Sequence, residues 1–316
     1  MPDITITQRF EAITQSGAGD PAALASAAKR GDMAAAADLA ALLTRAGWVE
    51  PRTIIGVYDA AAAGWFGDEA RVVDLAGGSG TVAPGLWPEF WAFIDDPVKM
   101  DAGTFTLRTA ALGKFVDAGF ARRAGEASLA YPGVPAAVAQ GWPQRFTMAE
   151  LAACPDGSLG HEFRRQIVDN NFDLEVLDRD ALGLADLPPP LDYLNVRILQ
   201  CHDLWHIVGG YHTTALHEVG ISAFQLSQFG HNYSAQFLAF ITAKAAIKRP
   251  EGLALVMEIT LGAWRHGRAT PQLLGVDWQD VWKEPTESVR QRLGVAPYVS
   301  PVPPDLVEQL ERAGMA

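Results

Sequence analysis

Apolar residues recur along most of this chain at spacings of three and four, interrupted by Gly, Pro and capping residues. That rhythm predicts α-helices, because strands would alternate apolar and polar positions with a period of two. Asp20-Pro21 reads as a helix cap followed by proline at the first helical position. The alanine-rich stretch Ala22 to Ala46 follows, split into two predicted helices at Gly31-Asp32 and closed by Gly47. Ile54 to Ala63 predicts another short element. Gly77-Gly78-Ser79-Gly80, with Pro84-Gly85 just after, reads as a flexible linker. It lacks the Lys-Ser/Thr of a phosphate-binding loop, and no strand precedes it. Helical spacing resumes in Leu86 to Ile94, Phe105 to Phe120 and Phe163 to Phe172. The expected fold is all-α: a helical N-terminal extension over residues 1–82, then a bundle-like helical domain over residues 83–316.

The most informative helix starts after the stop Leu187-Pro188-Pro189-Pro190 and runs from Leu191 to Gly209. Leu194, Ile198, Cys201, Trp205 and Val208 form a core-facing stripe. A second row holds Asn195, Leu199, His202 and His206. Histidines four apart share one helix face, so two imidazoles can converge on one cation. Gly209-Gly210 ends this helix, and Thr213-Thr214 can cap a second that begins at once. A tight αα-hairpin then brings Glu218 back beside the histidines. Two nitrogens and one carboxylate, with a position left for water, is the pattern of a catalytic zinc site. Asp203, directly after His202, is placed to act as a base, a ligand or an orienting partner. A structural polar cluster is the alternative reading of the same spacing.

Composition removes other classes. With 25 Lys+Arg against 37 Asp+Glu, the formal charge is −12. No basic face for nucleic acid is visible, and no charge-based grip on anionic lipid. Two cysteines, Cys154 and Cys201, fit a reducing compartment. The first 15 residues do not read as a secretory signal or a mitochondrial presequence, and no run of about 18 apolar residues predicts a membrane span. The expected location is the cytoplasm.

His202-Asp203-Leu204-Trp205-His206, eleven residues, then Glu218, resembles the HDxxH-x11-E signature of the ubiquinone (coenzyme Q) biosynthesis family called Coq-four. Tyr193-Leu194 with Arg197, Pro155 to Gly160, Trp87 to Asp101, Trp264 to Gly267 and Leu274 to Val295 resemble other parts of that family, over roughly residues 86–296. The resemblance implies a mostly helical fold and a divalent metal, most often taken as zinc. It carries ligand roles to His202, His206 and Glu218 and extends them to Asp203, which is also the expected catalytic residue. It implies action on a polyprenylated aromatic acid precursor: removal of the ring carboxyl at carbon one with hydroxylation there, and organisation of the other biosynthetic enzymes. It also implies peripheral contact at the inner face of the cell membrane. Expected partners are a polyprenylated quinone precursor, other ubiquinone-biosynthesis proteins and a second copy of the chain in a homodimer. The alternatives are a prenyl-lipid-binding scaffold with a structural metal, and a hydrolase using the His-Asp pair with His161.

Three positions depart from the family pattern. His217 stands before the motif glutamate where a small residue is typical, Leu199 where an arginine is common, and Gln279 where Glu is favoured. Arg197, His217, Phe229 and Tyr233 are the candidate substrate-binding residues. Leu226, Phe229, Tyr233, Phe237 and Phe240 form a stripe that reads as core, or as the lining of a prenyl tunnel.

Overall fold

The computed structural model describes residues 4–96, 102–174 and 186–314. Pro97 to Asp101, which end the family-like segment beginning at Trp87, lie outside the described residues. Among those described, the regular structure is helical, with a lone antiparallel bridge between Ser158 and Pro285. The expected all-α class is what the structure shows.

Four helices open the chain: α1 (Ile4–Ser16), α2 (Pro21–Lys29), α3 (Met33–Trp48) and α4 (Ile54–Phe66). Asp20 caps α2 by accepting from the N–H groups of Ala22 and Ala23, and Asp32 caps α3 through Ala35. Gly47 does not end α3; it lies inside that helix. A Cβ there would stand 3.2 Å from the Gln236 nitrogen and 3.3 Å from Ala235. The missing side chain therefore sets how closely α3 approaches α13 (Asn232–Lys248).

The middle of the chain holds α5 (Leu86–Asp95), α6 (Ala102–Leu112), α7 (Phe120–Leu129), α8 (Val134–Ala139), α9 (Met148–Ala152) and α10 (Leu159–Asn170). The predicted Phe105-to-Phe120 element is two helices, because the chain turns at Gly113 and restarts at Phe120. Next come α11 (Leu191–Gly209), α12 (Ala215–Phe229), α13 and α14 (Pro250–Ala269). Helix α12 packs on α14, and α13 lies against α3, α12 and α14. The chain closes with α15 (Thr286–Leu293), an extended proline-rich stretch and α16 (Leu306–Arg312).

In space, the first four helices join the rest. The Tyr58 and Trp264 rings stack at 4.8 Å, joining α4 to α14. Trp264 donates to Asp59, and Trp65 donates to Glu258. Apolar residues from α1 to α14 and beyond form one buried cluster. Nor is the glycine-rich break loose. Buried Arg45 donates to the carbonyls of Leu75 and Gly77 and to those of Thr14 and Gln15. The Thr81 N–H donates to Asp117, and the Val82 N–H to Gln15. Polar groups that sequence spacing does not pair hold the segment in place.

Candidate metal centre

The stripe Leu194, Ile198, Cys201, Trp205 and Val208 is buried, which fixes the rotation of α11. His202 and His206 then face α12 together. Gly210 makes the tight return possible: its φ of +77° is one that glycine adopts freely. The result is convergence. His202 Nε2 lies 3.3 Å from His206 Nε2. The Glu218 carboxylate reaches each of those nitrogens at 3.4 Å. Asp203 joins them, its carboxylate oxygen and a ring nitrogen of each histidine lying within 4.8 Å of one another. Among the described residues, His202, Asp203 and His206 form the group of His, Cys, Asp and Glu placed to share an ion, and Glu218 reaches both of its histidines.

Both histidines are oriented from behind. His206 Nδ1 lies 3.1 Å from the backbone oxygen of His212, so Nδ1–H donates and the Nε2 lone pair is left for the centre. His202 Nδ1 lies 2.8 Å from the Gln225 side-chain amide. The amide atom placed there is the nitrogen; turned over about its last bond, the amide presents its oxygen, which accepts from Nδ1–H and frees Nε2 in the same way. The Asp203 backbone oxygen accepts from Gln166 of α10.

The electrostatics are those of a site waiting for positive charge. Burial disfavours a charged His202, but Glu218, Asp203 and Gln225 outweigh it and push its pKa up to about 9. Burial would raise Glu218; the two imidazoles prevail and hold it well below the usual carboxylate range. Asp203 goes the other way: burial pushes it up despite both histidines. His231, buried close by, is pushed down to about 3 by burial and by His202.

The donor set fits a divalent ion. Two imidazole lone pairs facing each other at 3.3 Å repel unless a proton or a cation stands between them. A tetrahedral ion with bonds of about 2.0–2.1 Å has ligand atoms roughly 3.3–3.4 Å apart. The three separations match that edge.

The other sequence candidates are not among the clustered groups. Arg197 is buried, its guanidinium donating to the Leu274 and Val276 carbonyls and to Gln200, so it ties α11 to the 273–276 loop. Phe229 is fully buried against Trp205, with ring centroids 5.0 Å apart. Tyr233 is half-buried, stacked on Phe237 and beside His231. His217 is buried in the hairpin turn. Leu226, Phe237 and Phe240 are core, Phe240 packing on Phe90, Phe93 and Phe105. His161 faces Asp156 and does not join the centre. Sequence reasoning missed Gln225 and Gln166. Gln225 was findable: it lies seven residues after Glu218, two turns along the same face.

The sequence model described as "Coenzyme Q (ubiquinone) biosynthesis protein Coq4" matches residues 143–298, which include all four clustered residues. Over this segment the chain is similar to the Coq4 family. Residues 86–142, read above as family-like, fall outside the Coq4 match. The Rattus norvegicus "Ubiquinone biosynthesis protein COQ4 homolog, mitochondrial" is 26% identical over 150 residues, covering 48% of this chain and 55% of that protein. The Homo sapiens homolog is 25% identical over 148 residues, covering 47% and 54%. The chain thus spans about half the length of the curated Coq4 relatives it matches. A Nostoc punctiforme crystal structure, of a protein provisionally assigned to ubiquinone biosynthesis, aligns with 24% identity and a TM-score of 0.48, covering 66% of this chain and 96% of that one. No helix among the described residues is long and apolar enough to cross a membrane.

Proposed function

We propose that this Coq4-like chain is a metal-dependent enzyme of ubiquinone biosynthesis. Its substrate is a polyprenylated aromatic acid, from which it removes the ring carboxyl at carbon one and leaves a hydroxyl there. The observation that carries this reading is the mutual 3.3–3.4 Å approach of His202, His206 and Glu218.

In the proposed centre, those three side chains hold a divalent ion, zinc by the choice of donors. When bound, the ion supplies a Lewis-acid point for the anionic headgroup. Asp203, buried beside the two imidazoles, holds or moves a proton at its carboxylate oxygen. Gln225 and the His212 carbonyl keep the two rings from turning. The conversion of ring C–COOH to ring C–OH draws an oxygen atom from dioxygen and two electrons with two protons from an external reductant, and releases carbon dioxide and water. Contact with the membrane that holds the substrate, and with the other enzymes of the route, belongs to the same proposal.

The test is a replacement of the chain in its own host by His206→Ala or Asp203→Asn. Quinone extracts are read by mass spectrometry, and the purified variants by thermal melts. Folded variants that accumulate the carboxylated precursor support an enzyme. Variants that fold and leave the precursor unaccumulated count against it and for a scaffold.

A further inference from the structure

His217 occupies a place that filling space does not explain. It is 2% exposed, and its ring is boxed by His212, Tyr211 and Tyr298 at centroid distances of 5.3, 5.9 and 5.7 Å. Tyr211 and Tyr298 are themselves anchored. They stack at 4.6 Å, the Tyr211 hydroxyl lies 2.8 Å from His266 Nδ1, and the Tyr298 N–H donates to the Gly209 carbonyl. The ring has little room to turn. Its Nδ1 accepts from the backbone N–H of His212 at 2.8 Å. A backbone N–H only donates, so the ring proton sits on Nε2, which is buried without a partner. An apolar side chain would fill the slot without burying an unpaired N–H.

Residue 212 is therefore gripped on both sides. Its N–H is held by His217, and its carbonyl accepts from His206 Nδ1 at 3.1 Å. We infer that His217 is a positioning residue for His206: by fixing the backbone of His212 it fixes the carbonyl that aims the His206 ring at Glu218 and His202. The inference rests on the metal-centre reading above.

The experiment is a titration of the metal-free, full-length protein with Co²⁺, read by the visible d–d spectrum, for wild type, His217→Leu and His217→Asn. Leucine keeps the bulk and loses the acceptor; asparagine places its amide oxygen near the position of Nδ1. Loss of an orienting partner typically lowers metal affinity about 10–100-fold. The expected result is a loss of that size in His217→Leu with an altered spectrum, and recovery of most of it in His217→Asn. If His217→Leu fails to fold, His217→Met carries the same comparison, its flexible thioether fitting the slot more easily. Affinity and spectrum unchanged in His217→Leu overturn the inference and leave the metal centre standing. Equal losses in the leucine and asparagine variants also overturn it. A wild-type protein that binds no Co²⁺ brings down the metal centre and the inference with it.

Discussion

His206 turns its Nδ1 to the backbone oxygen of His212, 3.1 Å away, and so commits its Nε2 to the meeting point with His202 and Glu218. One hydrogen bond from the hairpin turn selects the tautomer and the ring angle of the more buried histidine.

Removing that ring should empty the centre. His206→Ala is expected to lower zinc affinity by more than the about 10–100-fold that loss of an orienting partner costs. Elemental analysis of protein purified from zinc-replete medium checks this, with circular dichroism to show that the helices persist. Stoichiometric zinc in the variant would remove His206 from the ligand set.

Gln225 should matter through His202 alone. Gln225→Leu leaves all proposed ligands in place and removes the group 2.8 Å from His202 Nδ1. Zinc affinity should fall about 10–100-fold, with the number of sites unchanged, by isothermal titration calorimetry. An unchanged affinity would show that the His202 ring is held by packing.

The metal-free protein should be most stable near pH 6.5. His202 is raised in the folded state to about 9, so its contribution is complete below 6.5 and is lost as pH climbs through 9. His217 and His231 are depressed, to about 4 and about 3. Their contribution is present above 6.5 and is lost as pH falls toward those values. Melting temperatures across pH 4–9 test the sum; a monotonic rise from 6.5 to 9 would contradict the His202–Glu218 pairing. Because a ligand histidine must be neutral, zinc affinity should rise over the 6.5–9 interval, with release of a proton.

Glu308 lies far along the chain yet caps the helix that carries Glu218. Its carboxylate accepts from the Ala215 N–H at 2.8 Å, while Thr214, the sequence-predicted cap, donates its hydroxyl to the Pro304 carbonyl. Glu308→Ala should cost about 0.5–2 kcal/mol in urea denaturation. No change in the midpoint would mean that water serves the end of α12 equally well.

Much of the centre was legible because it is local. His202 and His206 share a face by helical geometry, and the interval to Glu218 leaves room for only the end of α11, a short turn from Gly210 to Thr214 and one turn of α12. The helices of the N-terminal third were legible for the same reason, through Asp20, Asp32 and the alanine run between them. What failed was inference about partners across the chain. Gly47 reads as a helix end in sequence, yet the α3–α13 approach makes it an interior contact. The glycine-rich break reads as loose because nothing nearby holds it, whereas Arg45, about 30 residues away, does.

By itself, the sequence determined the all-helical class and the αα-hairpin and offered His202, Asp203, His206 and Glu218 as groups that could converge, since each follows from periodicity and spacing within a few turns. Only the tertiary structure decided that Gln225 and the His212 carbonyl lie behind the rings, that Arg197 reaches the Leu274 carbonyl and Phe229 packs on Trp205, and that the C-terminal helix α16 caps α12. Those are pairings between groups distant in sequence. A hydrogen bond depends on position in space, and spacing along the chain carries no record of it once the chain has turned back on itself.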